Sequence, residues 1–147
     1  MSEERAPQSP LRVLTFVVPG RLCAWARARI DARGGKPVSF TSERMRSDQA
    51  MVRQIAWQAL RAQCRMQLIG PLRLTVEVFR TVPASWSKKK QGAAKWITSK
   101  PDADNCLKMI ADSLSRVAMA DDAQIADARC IKQYGPIDQV KVTLEEL

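Results

Sequence analysis

The segment LRLTVEVF at residues 72–79 constrains the fold most, because its apolar and polar side chains alternate without a break. Successive side chains of an extended chain point to opposite faces, so this alternation makes one face apolar throughout. The apolar positions are Leu72, Leu74, Val76 and Val78. The pattern predicts a β-strand in a sheet that has one face covered by other parts of the chain.

Three further strands are predicted around this one. Residues 11–18 are rich in β-branched and apolar side chains and end at Pro19-Gly20. Residues 124–135 and 139–147 have a similar character and are joined at Gly135-Pro136. The last two strands are therefore predicted to form a hairpin.

Two helices are predicted to pack on the sheet. Ser47 can cap a helix that runs to about residue 66, with an apolar face of Met51, Val52, Ile55, Ala59 and Ala62. A second helix from Asn105 has its own apolar stripe: Leu107, Ile110, Ala111, Leu114 and Val117. The predicted fold class is α/β (α+β), a small mixed sheet with two principal helices packed on it. At 147 residues the chain is expected to form one domain, residues 1–147, with residues 1–10 as a flexible tail.

The chain is strongly basic, with 24 Lys and Arg against 15 Asp and Glu and a formal net charge of +9. Such a charge favours a nucleic-acid partner or, less often, an anionic membrane surface. The membrane alternative lacks a long basic amphipathic helix with a continuous apolar face. The first residues are acidic and no apolar run approaches the roughly 18 residues of a membrane span. We therefore expect no signal peptide, no transmembrane helix and a cytoplasmic location.

The absence of histidine from the sequence limits the catalytic mechanisms that are open to this chain. It excludes a Ser-His-Asp triad and any imidazole general base. The cysteines are widely scattered, form no CxxC pair and are expected to be buried, reduced thiols: Cys23, Cys64, Cys106 and Cys130. An enzyme of this composition would have to use carboxylates, lysine and metal.

Two basic segments are candidates for contact with DNA. Residues 21–36 carry several arginines, and residues 81–100 carry lysines interleaved with Trp86 and Trp96. Lysine and arginine attract phosphates, and exposed indoles stack on unpaired bases. The candidate contact residues are Arg27, Arg29, Trp86, Lys88, Lys89, Lys90, Lys95 and Lys100. For both segments the alternative is a solvated loop, with the tryptophans of the second folded back on the core.

An acidic cluster lies within this basic chain, in KPDADNCLKMIADSL and in the MADDAQI that follows it. Asp102 and Asp104 are two apart in what is predicted to be extended chain before the helix, which would direct both carboxylates to the same side to share a cation. Lys108 lies one helical turn from Asp104, and Asp122 belongs to a second acidic pair. We interpret the cluster as a divalent-metal site that is brought up to a phosphate, and the chain as a metal-dependent nuclease.

Each aspartate taken alone is better explained by a structural role. Aspartates cap helix N-termini, Asp112 is one turn from an arginine with which it can pair, and Asp121 and Asp122 are typical turn residues. A calcium-binding EF-hand loop is not an explanation, because counting from Asp102 puts Leu107 where glycine is required and Ser113 where glutamate is required. The combination of two acidic pairs, a lysine and basic flanks favours catalysis.

At these residues the sequence resembles the RusA family of Holliday-junction resolvases, many of which are phage-encoded. The motifs are KPDADNCLK, the aspartate of IADSL, and DDAQI followed by a lysine-bearing strand, with a looser likeness at the VPG turn and the SWSKKK loop. The resemblance implies that Asp102, Asp104 and Asp122 are metal-binding catalytic carboxylates and that Lys108 is the catalytic lysine. It also implies a RusA-like fold and a homodimer.

The resemblance implies a Mg²⁺-dependent endodeoxyribonuclease, with Mn²⁺ as an alternative ion. Such an enzyme resolves four-way DNA junctions by paired symmetric nicks, leaves 5′-phosphate and 3′-hydroxyl ends, and serves DNA recombination and repair. Its expected location is the nucleoid of a bacterial or phage-infected cell. Two alternatives stay open: a noncatalytic module that binds branched or single-stranded DNA, and a nuclease for other branched DNA such as flaps.

Overall fold

The structure is a computed structural model that describes residues 10–22, 29–31, 38–40 and 42–147. Residues 1–9 of the predicted flexible tail lie outside these ranges. The elements, in chain order, are β1 (Val13–Pro19), β2 (Arg29–Asp31), β3 (Val38–Phe40), α1 (Glu43–Gln63), β4 (Leu72–Arg80), α2 (Lys88–Ala93), α3 (Ala103–Leu114), a 3-10 helix (Asp122–Gln124), β5 (Ile125–Tyr134) and β6 (Gln139–Glu146).

Four strands form one mixed sheet in the order β1–β6–β4–β5. β6 is antiparallel to both β1 and β4, whereas β5 runs parallel to β4. β2 and β3 form a separate antiparallel pair. The predicted mixed sheet with helices packed on it is confirmed, and the four predicted strands are all present in it.

The predicted hairpin of β5 and β6 is wrong, because β4 lies between them. The connection that follows β5 crosses the end of β4. There the Gly135 N–H donates to the Arg80 carbonyl at 2.8 Å, and the Thr81 N–H donates to the Asp138 carboxylate at 2.8 Å. A Cβ at Gly135 would lie 3.1 Å from the Phe79 ring, so glycine permits this close crossing. The Gly-Pro pair marks a turn correctly but does not show which strand lies beneath it.

α1 and α3 pack side by side on one face of the sheet. That face holds the four apolar side chains predicted for β4, all of them buried, and alternate residues of β1 and β6: Leu14, Phe16, Val18, Val140, Val142 and Leu144. Full burial of an aliphatic or aromatic side chain of this size contributes about 1.5–3 kcal/mol. This apolar layer therefore fixes α3, and the acidic residues along it, relative to β4 and β5.

α1 begins at Glu43, earlier than predicted. The Ser42 Oγ accepts a hydrogen bond from the Met45 N–H at 3.2 Å, so Ser42 is the N-cap and Ser47 lies inside the helix. The buried residues of α1 are Met45, Val52, Ala56 and Leu60. The predicted face is thus displaced by about one residue, since most of its members line the margin of the buried stripe and Ala62 is exposed.

α3 also begins earlier than predicted, at Ala103, with Asp102 as its N-cap. Ile110 and Leu114 are buried as predicted, and Cys106, Met109 and Ser113 complete the buried face. No helix in the described part of the chain is long and apolar enough to cross a membrane. The three cysteines that the structure describes are free thiols, of which Cys106 is buried and the other two are partly buried.

Candidate active site

A groove between α3 and β5 brings together three of the predicted catalytic residues. Asp104 and Lys108 line it from α3, and Asp122 lines it from the 3-10 helix that precedes β5. The groove floor is apolar and includes Leu74 of β4. The burial that docks α3 on the sheet therefore also sets the distance between these charged groups.

Lys108 connects the two sides of this groove. Its Nζ lies 3.2 Å from the Asp112 Oδ1, one turn along α3, and 4.0 Å from the Asp122 Oδ2. The Lys108 side chain is 48% exposed, so its ammonium is reachable from solvent. The sequence suggested an arginine as the partner of Asp112, whereas the structure pairs Asp112 with the candidate catalytic lysine.

Asp122 is held by the turn in which it lies. The Asp121 side chain accepts from the Ala123 N–H at 2.9 Å, and the Gln124 side chain accepts from the Asp121 N–H at 3.1 Å, which forms a capping box. The Asp121 hydrogen bond and, second, partial burial raise the pKa of Asp122, while Lys108 opposes them. The Ala123 N–H and, second, the contact with Asp122 lower the pKa of Asp121. Asp121, which the sequence suggested as a turn residue, is thus the N-cap of the 3-10 helix, and it also orients its neighbour.

Asp102 lies on a different side of the α3 N-terminus. It lines a second groove with Arg44, Arg80 and Asn105, and its Oδ2 accepts from the Lys100 Nζ at 2.9 Å. Asp102 occupies the N-cap position, but its carboxylate makes no capping hydrogen bond. The hydrogen bond to Asp102 and, second, their charge attraction raise the pKa of Lys100.

The predicted extended geometry of Asp102 and Asp104 is wrong. Asp102 is the extended N-cap residue, whereas Asp104 lies within the first turn of α3, so the chain turns into the helix between them. The two carboxylates therefore line separate grooves. Among the described residues, no three acidic, cysteine or histidine side chains are placed to hold one metal ion.

The α3–β5 groove nevertheless has a donor set that suits Mg²⁺. This ion retains several waters and is commonly bound through one or two carboxylates. Asp104 and Asp122 supply hard oxygen ligands from opposite sides of one solvent-open groove. The fit is thus to a two-carboxylate site and not to the three-aspartate cluster that the sequence suggested.

The segment at residues 81–100 is more ordered than a solvated loop. Its middle forms α2, and the Ile97 N–H donates to the Lys132 carbonyl at 3.0 Å, which ties the segment to β5. Trp86 is partly buried, with its ring 5.5 Å from that of Tyr134 and the Lys90 Nζ 4.1 Å above it. The surface of this segment is strongly cationic, with exposed Lys88, Lys89, Lys90, Lys95 and Lys100.

Trp96 is the more accessible of the two tryptophans in this segment, at 55% exposure, with the Lys95 Nζ 4.8 Å from its ring centroid. One indole therefore folds back on the protein and one is available for stacking. Of the two arginines predicted to contact DNA, Arg27 lies outside the described residues, and Arg29 is described only by its backbone in β2.

A family model described as Endodeoxyribonuclease RusA matches residues 19–145. The chain belongs to the RusA family. It is also 32% identical to "Uncharacterized protein YqaN" of Bacillus subtilis (strain 168) over 142 residues, which cover 91% of this chain and 96% of that protein. Membership of the RusA family implies an endodeoxyribonuclease that resolves Holliday junctions.

The RusA match includes both grooves and the lysine-rich segment. It also includes Arg44 and Arg80, which sequence reasoning did not select and which the structure places beside Asp102. The Arg80 Nη1 donates to the Lys100 carbonyl at 3.2 Å, which fixes the chain just before Asp102. The signal in the sequence was weak: Arg80 directly follows the alternating strand, and Arg44 lies in an arginine-rich stretch where charge alone does not distinguish one position from another.

Proposed function

We propose that this protein is a metal-dependent endodeoxyribonuclease that resolves four-way DNA junctions by paired symmetric nicks in recombination and repair. The observation that carries the proposal is the convergence of Asp104, Lys108 and Asp122 on one solvent-open groove of a RusA-family chain. The nearby lysine-rich segment supplies the positive surface that a DNA backbone requires. The proposed place of action of the protein is the nucleoid of a bacterial or phage-infected cell.

Asp104 and Asp122 would hold Mg²⁺, or Mn²⁺ in its place, whereas Asp102 lines the adjacent groove beside Lys100. The ion supplies activation of water and stabilisation of the departing 3′ oxygen, which leaves 5′-phosphate and 3′-hydroxyl ends. The ammonium of Lys108 stabilises negative charge on the phosphate, because it lies beside the carboxylates and stays solvent-accessible. Asp112 orients that ammonium.

The DNA surface combines the lysines of residues 81–100 with Trp86, Trp96 and the arginines Arg27 and Arg29. Lysines contribute nonspecific phosphate attraction, and an exposed indole stacks on the unpaired bases of a branch point. A homodimer is part of this proposal. Symmetric resolution requires two nicks in strands of like polarity, and a two-fold pair of identical sites meets that requirement.

A synthetic four-way junction with labelled strands tests the proposal. We expect paired nicks in the presence of Mg²⁺, none with EDTA, and ligatable products, as 5′-phosphate and 3′-hydroxyl ends require. Linear duplex of the same sequence is the control substrate, and a flap substrate in parallel compares other branched DNA. If the protein bound the junction but did not nick it in Mg²⁺ or in Mn²⁺, it would be a binding module and not a resolvase.

A further inference from the structure

The chain that leads into α3 is attached to the outer edge of β5 only at its start. The Ile97 N–H donates to the Lys132 carbonyl at 3.0 Å, and Ile97 is buried, at 5% exposure. The chain then leaves β5. In the part of the chain that the structure describes, no backbone-to-backbone hydrogen bond holds residues 98–101 before the first turn of α3. We call residues 98–102 the strap.

Two side chains of the sheet hold the strap where the backbone does not. The Lys132 Nζ donates to the Ser99 carbonyl at 2.8 Å, and the Arg80 Nη1 donates to the Lys100 carbonyl at 3.2 Å. The two cations come from neighbouring parallel strands, since Lys132 lies on β5 and Arg80 ends β4. The next residue is Pro101, which has no N–H to donate. The strap is therefore held by charged donors, whose hydrogen bonds are stronger than those between neutral groups.

Lys132 occupies a position at which a lysine needs a specific partner. It pairs in register with Val78, which is 7% exposed and belongs to the apolar layer beneath α1 and α3. Paired residues of adjacent strands share a face, so the Lys132 side chain starts from the core side of β5. A half-buried ammonium there is costly unless it is hydrogen-bonded, and the Ser99 carbonyl accepts that bond. Lys132 thus differs from the exposed lysines at 88–90, which the proposed function assigns to DNA contact.

The strap ends in the residues that begin α3 and carry two of the candidate catalytic carboxylates. Asp102 is the N-cap residue and Asp104 lies in the first turn, and they line grooves on different sides of the helix start. The position of the strap therefore sets where both carboxylates lie. At an active site, a displacement of about 1 Å lowers a rate by as much as roughly 100-fold. A residue that fixes the strap acts on cleavage without touching the DNA.

We propose that Lys132 is a positioning residue for DNA cleavage, whose ammonium holds the strap so that the first turn of α3 presents Asp104 to the α3–β5 groove and Asp102 to the adjacent one. This inference rests on the proposed function and adds to it a residue that acts through others. Arg80 assists at the next carbonyl. Lys132 is the lysine of the strand that follows DDAQI, a motif position to which the proposed mechanism gives no other role.

Single-turnover nicking of a four-way junction at saturating enzyme tests this role beside junction affinity. Lys132→Met should lower the nicking rate by about tenfold or more, the scale of a group that orients another. Lys132→Arg should recover most of that loss, because a guanidinium can donate to the same carbonyl. Lys141→Met is the matched control, since this exposed lysine lies on β6 and pairs with Glu77, on the opposite face of the sheet. The control should nick like the wild type, and Lys132→Met should lose no more affinity than the control does.

Amide hydrogen exchange of the DNA-free protein, followed by NMR, gives a readout that does not depend on nicking. The Ile97 N–H and the Cys106 N–H, which donates to the Asp102 carbonyl at 3.1 Å, flank the strap on its two sides. In Lys132→Met both amides should exchange at least about tenfold faster, because the segment between them is released. Amides of α1 and β6 should keep their rates. Lys132→Arg should exchange like the wild type.

Three outcomes would each overturn the inference. Equal defects in Lys132→Met and Lys132→Arg would show that the bond to the strap is not what matters. A loss of affinity without a loss of rate at saturation would make Lys132 a DNA contact, and faster exchange throughout the chain would make it a residue of general stability.

Failure of this inference is distinguishable from failure of the proposed function. If the wild type nicks junctions and Lys132→Met nicks equally well, only the inference fails. If the wild type does not nick, the proposed function fails, and the exchange rates at Ile97 and Cys106 alone decide whether Lys132 holds the strap.

Discussion

The Lys108 Nζ lies 4.0 Å from the Asp122 Oδ2, so α3 and the 3-10 helix before β5 meet through opposite charges at one point of the groove. The same ammonium lies closer to Asp112, at 3.2 Å from its Oδ1. Lys108 is thus placed between Asp122, to which the family resemblance gives a catalytic role, and Asp112, which belongs to the family motif without an assigned role. Their contributions can be separated by mutation.

Lys108→Met should reduce single-turnover nicking at least about 100-fold, since it removes a positive charge from the groove in which we propose that the phosphate is cleaved. Asp112→Asn should cost about tenfold, the scale of a group that acts by orienting another, and Asp112→Glu should restore most of that loss. Junction affinity, measured by fluorescence anisotropy, should change little in all three variants. An Asp112→Asn defect as deep as that of Lys108→Met would place Asp112 among the catalytic carboxylates.

Asp104→Asn should reduce the rate of nicking by at least about 100-fold, while junction binding is retained. It should leave the melting temperature of the metal-free protein unchanged or raised, because it removes one of two carboxylates that line the same groove. Nicking gels and thermal denaturation of the same preparation measure both effects. A large fall in melting temperature would show that Asp104 is structural.

The four strands of the sheet and the two long helices followed from local patterns, because period-two alternation and helical spacing are properties of short segments. The order of the strands in the sheet could not be predicted in this way. The order β1–β6–β4–β5 depends on long-range pairing, which a turn at Gly135-Pro136 leaves undetermined. The site shows the same division. Asp104, Lys108 and Asp122 were selected from spacing and resemblance, whereas the separation of Asp102 from Asp104 depends on where α3 begins.

Trp96→Ala should weaken binding to a junction or to single-stranded DNA by roughly 1–3 kcal/mol, the contribution of one stacked base. Trp57→Ala is a matched control, since Trp57 is 50% exposed and also has a cation over its ring, with the Arg61 guanidinium carbon 4.7 Å from the centroid, but lies on α1. Binding titrations at fixed salt should separate the two variants. Equal losses would show that stacking is not localised to residues 81–100.

Ser42→Ala should lower the free energy of unfolding by about 1 kcal/mol, because it removes the Oγ that accepts a hydrogen bond from the Met45 N–H in the first turn of α1. Ser47→Ala should change it by only a few tenths of a kcal/mol, since this serine lies inside the helix. Urea denaturation compares the two variants directly. A larger loss of stability in Ser47→Ala would show that Ser47 caps α1, as the sequence suggested.

Glu146→Gln should destabilise the protein near neutral pH by about 1.5 kcal/mol, the low end for hydrogen bonds to a charged group. Glu146 is only 9% exposed and joins β6 to Arg12 through hydrogen bonds of 2.9–3.1 Å, while its Oε2 also accepts from the Ile69 N–H at 2.8 Å. The hydrogen bond from the Arg12 side chain is the largest cause that lowers the pKa of Glu146 below its ordinary value of 4.5.

Because the folded state binds this proton more weakly than the unfolded state does, the stabilisation is complete above pH 4.5 and is lost as the pH falls through the lower folded-state value. The difference in melting temperature between wild type and Glu146→Gln should therefore be largest at neutral pH and shrink below pH 4.5. Glu43→Gln, at the exposed start of α1, should show a smaller difference. If this difference in melting temperature stayed constant below pH 4.5, the packing of the Glu146 side chain and not its charge would make the contact stabilising.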